Sequence, residues 1–152
     1  MMDEKEIETE RVLRNAGWRP GRKIDTSAWR DQLEMLGFVW TEAAEHFLSE
    51  FGGLVIDHCG PGITCARSPF ELDPLLAEGE DDRFAEWATV LGEPLSPIGQ
   101  LDHGRFFLGI SGSGDIYLVE TWLASFGSGQ EALKALVLGI APREIDEHDL
   151  ET

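Results

Sequence analysis

The chain has 152 residues, enough for one domain with a sizeable core, and its 12 Lys and Arg face 29 Asp and Glu for a net charge of −17. The acidic opening MMDEKEIETE has no apolar h-region, no stretch approaches the roughly 18 apolar residues of a membrane span, and the charge repels phosphates, which argues against a secretory signal, a membrane protein and a general nucleic-acid binder. Two Cys do not make a disulfide scaffold, and a cytoplasmic location fits best.

Residues 3–16 read as a partly exposed helix, with Ile7, Val12 and Leu13 as its large apolar side chains and Gly17 as its stop. Trp18 to Arg22 (WRPGR) is a turn. Asp25, Thr26 or Ser27 caps a second helix over 27–36, where Trp29, Leu33 and Leu36 share one face. Thr41 caps a third through Phe51, with Ala43, Ala44, Phe47, Leu48 and Phe51 on one side. Leu54-Val55-Ile56 begins a strand, and Ile63 to Ala66 returns as its hairpin partner across Gly60-Pro61-Gly62. Ser68 to Gly79 reads mainly as loop.

Asp81 or Asp82 opens a fourth helix through Leu91, with Phe84, Trp87, Ala88 and Leu91 in helical register. Strands follow at Leu95 to Leu101, Phe106 to Ile110 and Asp115 to Val119, joined by Asp102-His103-Gly104 and Ser111 to Gly114. Pro97 marks the first of these as an edge or irregular strand. Glu120 to Phe126 reads as a short helix, Gly129 to Leu138 as the last one, and the acidic tail beyond Pro142 as frayed. Helices first and strands joined by tight turns afterwards predict an α+β fold with a largely antiparallel sheet.

The charge is uneven. Residues 1–16 sum to −2, residues 17–30 to +3 through Arg19, Arg22, Lys23 and Arg30, and the remainder to −18. The basic patch is expected to pair with neighbouring acids. Acids concentrate in Glu71, Asp73, Glu78, Glu80, Asp81, Asp82 and Glu86, and again in the tail at Glu144, Asp146, Glu147, Asp149 and Glu151. Such clusters either keep a surface solvated or steer a basic partner.

No catalytic set stands out. Cys59 and Cys65 are spaced C-x₅-C, wider than the usual zinc pair, with His58, His46, His103 and His148 as the available imidazoles. Asp102-His103 lies in a turn where Asp is favoured for backbone reasons. A thiol enzyme would need His58 or His103 beside a cysteine. The glycines lack a phosphate-binding frame, and the acidic loop lacks a calcium-binding one. The aromatics Phe106, Phe107, Trp122 and Phe126 read as core. These residues imply no metal and no cofactor, and they favour a binding protein over an enzyme.

Six segments together resemble the SUKH-3 family of the SMI1/KNR4-like superfamily. They are AGWRPGRKIDTSAWR (16–30), FLSEFGGL (47–54), GPGITCARSPFELDP (60–74), DRFAEWATVLG (82–92), PIGQLDHGRFFLGI (97–110) and GDIYLVETWLASFG (114–127). They stand in the family's order and cover about residues 16–142. The resemblance implies an α+β fold with a mixed or antiparallel central sheet flanked by helices. It also implies an immunity protein of bacterial polymorphic-toxin systems, which binds and neutralises a co-encoded toxin domain, often a nuclease or nucleic-acid deaminase. A regulatory or scaffolding module of the same fold is the alternative.

The expected organisation is an N-terminal helical extension (1–15), one SUKH-3-like domain (16–142) and an acidic tail (143–152). Charge clustering, not a family motif, nominates Glu71, Asp73, Glu78, Glu80, Asp81 and Asp82 as the contact face for a basic toxin domain. Asp102 and Asp115 at the hairpin turns are weaker candidates.

Overall fold

Helix α1 (Glu4–Asn15) begins at a built cap. Asp3 Oδ1 accepts from the Glu6 amide at 2.8 Å, and Arg11–Glu8 and Arg14–Glu10 pairs line its exposed side. Thr9 and Leu13 are its buried residues. The computed structural model of the chain describes residues 3–145.

Helices α2 (Ser27–Met35) and α3 (Glu42–Phe51) follow. Thr41 caps α3 through its hydroxyl, which accepts from the Ala44 amide at 3.1 Å; such a cap contributes about 1 kcal/mol. Arg22 finishes the same helix. Its guanidinium donates to the carbonyls of Glu50 and Gly52, at 2.5 and 2.8 Å. Two residues of the basic patch are thus used differently: Arg22 staples backbone carbonyls, whereas Arg30 meets Asp31 at 3.4 Å.

Strands β1 (Val55–Ile56) and β2 (Phe70–Glu71) come next, then a short 3-10 helix (Pro74–Ala77), α4 (Asp81–Leu91), β3 (Leu95–Leu101), β4 (Phe106–Ser111), β5 (Asp115–Val119), β6 (Leu123–Ser128), α5 (Gly129–Leu138) and β7 (Arg143–Glu144). Among the described residues the seven strands form one antiparallel sheet in sequence order, β1 to β7. The expected α+β architecture is therefore present. No helix among the described residues is long and apolar enough to cross a membrane.

Period-two alternation sends side chains to two cores. Leu108, Ile110, Ile116 and Leu118 face α1, α3 and α5, while Phe107, Tyr117 and Val119 face α2, α4 and the 3-10 helix. Gly109 is what lets α4 sit close. A Cβ there would come within 2.9 Å of Phe84 Cε2 and 3.2 Å of Leu95 and Val119, so the missing side chain is the seat of the Phe84 ring.

Three expectations are corrected, and a fourth in part. The partner of β1 is β2, not residues 63–66; the amides of Ile63, Thr64 and Cys65 instead donate to Leu138 and Gly139 carbonyls at the end of α5. The stretch read as loop between Ser68 and Gly79 holds β2 and the 3-10 helix. Glu120–Phe126 is not a helix: β6 occupies Leu123–Ser128. Leu123 and Ala124 are buried on opposite faces, and a strand covered on both sides has no alternating pattern to read. Of the two readings of the Pro97 strand, irregular holds and edge does not: it is internal, between β2 and β4, with a register shift between Pro97 and Gly99 that absorbs the missing amide. At the chain's end, Arg143 and Glu144 pair with β6 as β7, while Asp146, Glu147, Asp149 and Glu151 lie outside the described residues.

Candidate partner-binding surface

The acids nominated from sequence divide by what they do in the folded chain. Glu71 lies in β2, opposite Val55 of β1 and Gln100 of β3. Asp73 is engaged with backbone: its Oδ1 accepts from the Leu75 amide at 3.0 Å and caps the 3-10 helix, with Pro74 at the first position. Glu80 is engaged with charge. Arg83 Nη1 sits 3.4 Å from Glu80 and 3.0 Å from Glu120, and the Trp87 indole fixes Glu120 by donating to its carbonyl at 2.9 Å.

Asp81 lies against the corner between α2 and α3, where a Cβ on Gly37 would come 3.1 Å from its Oδ2. Glu78 and Asp82 are exposed. Glu71, Glu78, Asp81 and Asp82 make no ion pair or side-chain hydrogen bond among the described residues. Glu78 and Asp82 present this unpaired charge to solvent, while Glu71 and Asp81 are half-buried.

The two turn acids separate. Asp102 and His103 both take left-handed backbone, at φ 56° and 55°, in the β3–β4 turn. The Asp102 amide donates to Pro69 O at 2.8 Å, which ties this turn to the chain entering β2, and its carboxylate meets Arg105 at 3.6 Å. Asp115 lies beyond the other end of β4, about 20 Å away along a six-residue strand. The fold therefore brings Asp102 beside the β2 end of the acidic run, near Glu71, and leaves Asp115 apart.

The metal and thiol candidates do not assemble into a centre. Cys59 and Cys65 are free and exposed on the loop between β1 and β2. His58 Nε2 donates to Ser68 O at 3.0 Å, leaving Nδ1 buried without a partner among the described residues. Burial pushes the His58 pKa down, helped by the charge of Arg67 and opposed by the Ser68 bond and Asp57, so the imidazole is held neutral. His103 lines a cleft of about 230 Å³ that neither cysteine borders. Among the described residues no three His, Cys, Asp or Glu side chains converge as a metal-holding group.

Another acidic site escaped the sequence reading. Glu6 and Glu10 of α1, Glu50 of α3 and Glu131 of α5 converge around Trp18 and Phe51 in a groove of about 290 Å³. They are scattered from one end of the chain to the other. The available signals were the i, i+4 spacing of Glu6 and Glu10 and the Trp in the first turn.

No curated protein and no solved structure matches the chain. The family model described as SUKH-3 immunity protein matches residues 5–139, from the first turns of α1 to the end of α5. With that span matched and the expected α+β fold in place, the chain belongs to the SUKH-3 immunity protein family.

Proposed function

We propose that this protein binds and neutralises a cognate bacterial toxin domain, a nuclease or a nucleic-acid deaminase, by covering its active site or the surface beside it. The observation that supports this reading is the unpaired charge of Glu71, Glu78, Asp81 and Asp82 on a chain of this family, with Glu78 and Asp82 exposed. An enzyme acting on nucleic acid presents a basic cleft to phosphates, and an acidic protein face competes for that cleft. The contact face runs through Glu71, Asp73, Glu78, Glu80, Asp81 and Asp82, with Asp102 at its edge. Asp115 serves only a partner large enough to span the sheet.

The protein acts by occupancy, without catalysis or cofactor, in the cytoplasm where the toxin would meet its substrate. Charge complementarity raises the association rate and selects the partner, while buried apolar contacts supply most of the affinity. The test is the affinity for the toxin domain encoded beside this gene, at low and high salt. Tight binding that weakens with salt in the wild type, and that is weaker and flatter with salt in Glu71→Gln/Glu78→Gln/Asp81→Asn/Asp82→Asn, is expected. Equal affinity and equal salt slope in the two proteins would discard this face.

A further inference from the structure

We propose that the groove between α1, the end of α3 and α5 docks an arginine- or lysine-bearing segment of a protein partner. Four carboxylates and the Lys134 ammonium line it, with Arg14 paired to Glu10 at its edge, so two carboxylates remain in excess of the cations. Its floor is apolar and includes Leu13, Trp18, Phe51 and Leu133. A cationic side chain has this same division, an apolar stem that seeks buried surface and a charged head that seeks carboxylates.

The chain already carries this recognition within itself. Arg14 sits with its guanidinium 5.7 Å from the Trp18 ring centroid and 2.7 Å from Glu10. The surroundings are preorganised. Trp18 stacks on Phe51 at 6.1 Å and 17°, and its indole donates to Glu50 at 3.0 Å. Glu6 and Glu131 form no ion pair among the described residues, so they remain available to an incoming cation. Concavity separates this groove from the outward acids near α4, and its charge disfavours nucleic acid as the occupant.

The experiment is a titration of the ¹⁵N-labelled full chain with a capped Arg-Leu-Arg peptide, following the five tryptophan indole N–H signals. The Trp18 signal moves saturably, and a capped Glu-Leu-Glu peptide leaves it in place. Glu6→Gln/Glu131→Gln raises the peptide Kd about fivefold, from two exposed carboxylates acting together. Glu78→Gln/Asp82→Asn leaves it within about twofold, because those acids are remote and screened. A static Trp18 signal, or one that moves equally in both variants, overturns the proposal. A Trp18 shift driven by protein concentration alone, without peptide, identifies a second copy of the chain as occupant and also overturns it. The titration contains no toxin, so it stands or falls separately from the immunity role.

Discussion

The two acidic regions differ in origin and in shape. The 71–82 region is contiguous in sequence, and part of its charge is used to hold the fold: Asp73 caps a helix and Glu80 shares Arg83 with Glu120. The groove is assembled from four distant positions, is concave, and rests on Trp18 and Phe51. The difference teaches that charge density in a sequence is not free charge on a surface. Local geometry decides which carboxylates a partner can reach.

Phe84 tests this contrast most severely, because its ring in the Gly109 seat anchors the helix that carries Asp81 and Asp82. Phe84→Ala is expected to cost about 3–5 kcal/mol by urea denaturation and to abolish toxin binding through α4. Peptide binding at Trp18, on the opposite face of the sheet, should survive wherever the variant stays folded. Loss of both together would show that the two regions are not separable.

A smaller effect distinguishes engaged from free acids within one region. Asp73→Ala should lose about 1 kcal/mol of stability with its cap, whereas Asp82→Asn should change stability by less than about 0.5 kcal/mol. Equal losses from the two would contradict the division.

The smallest effect concerns pH and lies outside both acidic regions. His58 is the described histidine whose pKa is shifted down in the folded chain, so the unfolded chain takes up this proton first as pH falls. Its contribution is absent above the ordinary value of about 6.5. Below that value it destabilises progressively, levelling off at the lowered folded value. His58→Gln should therefore flatten the fall in urea midpoint below about pH 6.5. An unchanged slope would remove His58 as the cause. Glu8 acts in the same sense at lower pH. Its hydrogen bond to Arg11 is the main cause of its lowered pKa, so the stability it adds is present above the usual carboxylate value and fades in acid.

Much of the fold was legible because its helices carry both pattern and punctuation. Thr41 with Ala44, Phe47, Leu48 and Phe51 defines α3 without tertiary information, and Gly92 and Gly139 stop α4 and α5 in left-handed conformation. The misreadings fell where long-range pairing overrides local signal. Nothing near Phe70 announces that its two-residue strand takes the slot beside β1, and doubly buried β6 has no alternation. The acidic run at 71–82 could be seen directly, but which of its members were already engaged could not. The groove was invisible because its acids meet only after α1 and α5 pack together.

The most direct test of the immunity account is co-expression. The toxin domain encoded beside this gene is induced in a bacterial host alone, with the wild-type chain, and with Glu71→Gln/Glu78→Gln/Asp81→Asn/Asp82→Asn. The account predicts arrested growth with toxin alone, restored growth with the wild type, and weaker protection from the variant at equal protein level. Growth arrest that the wild-type chain does not relieve would contradict it.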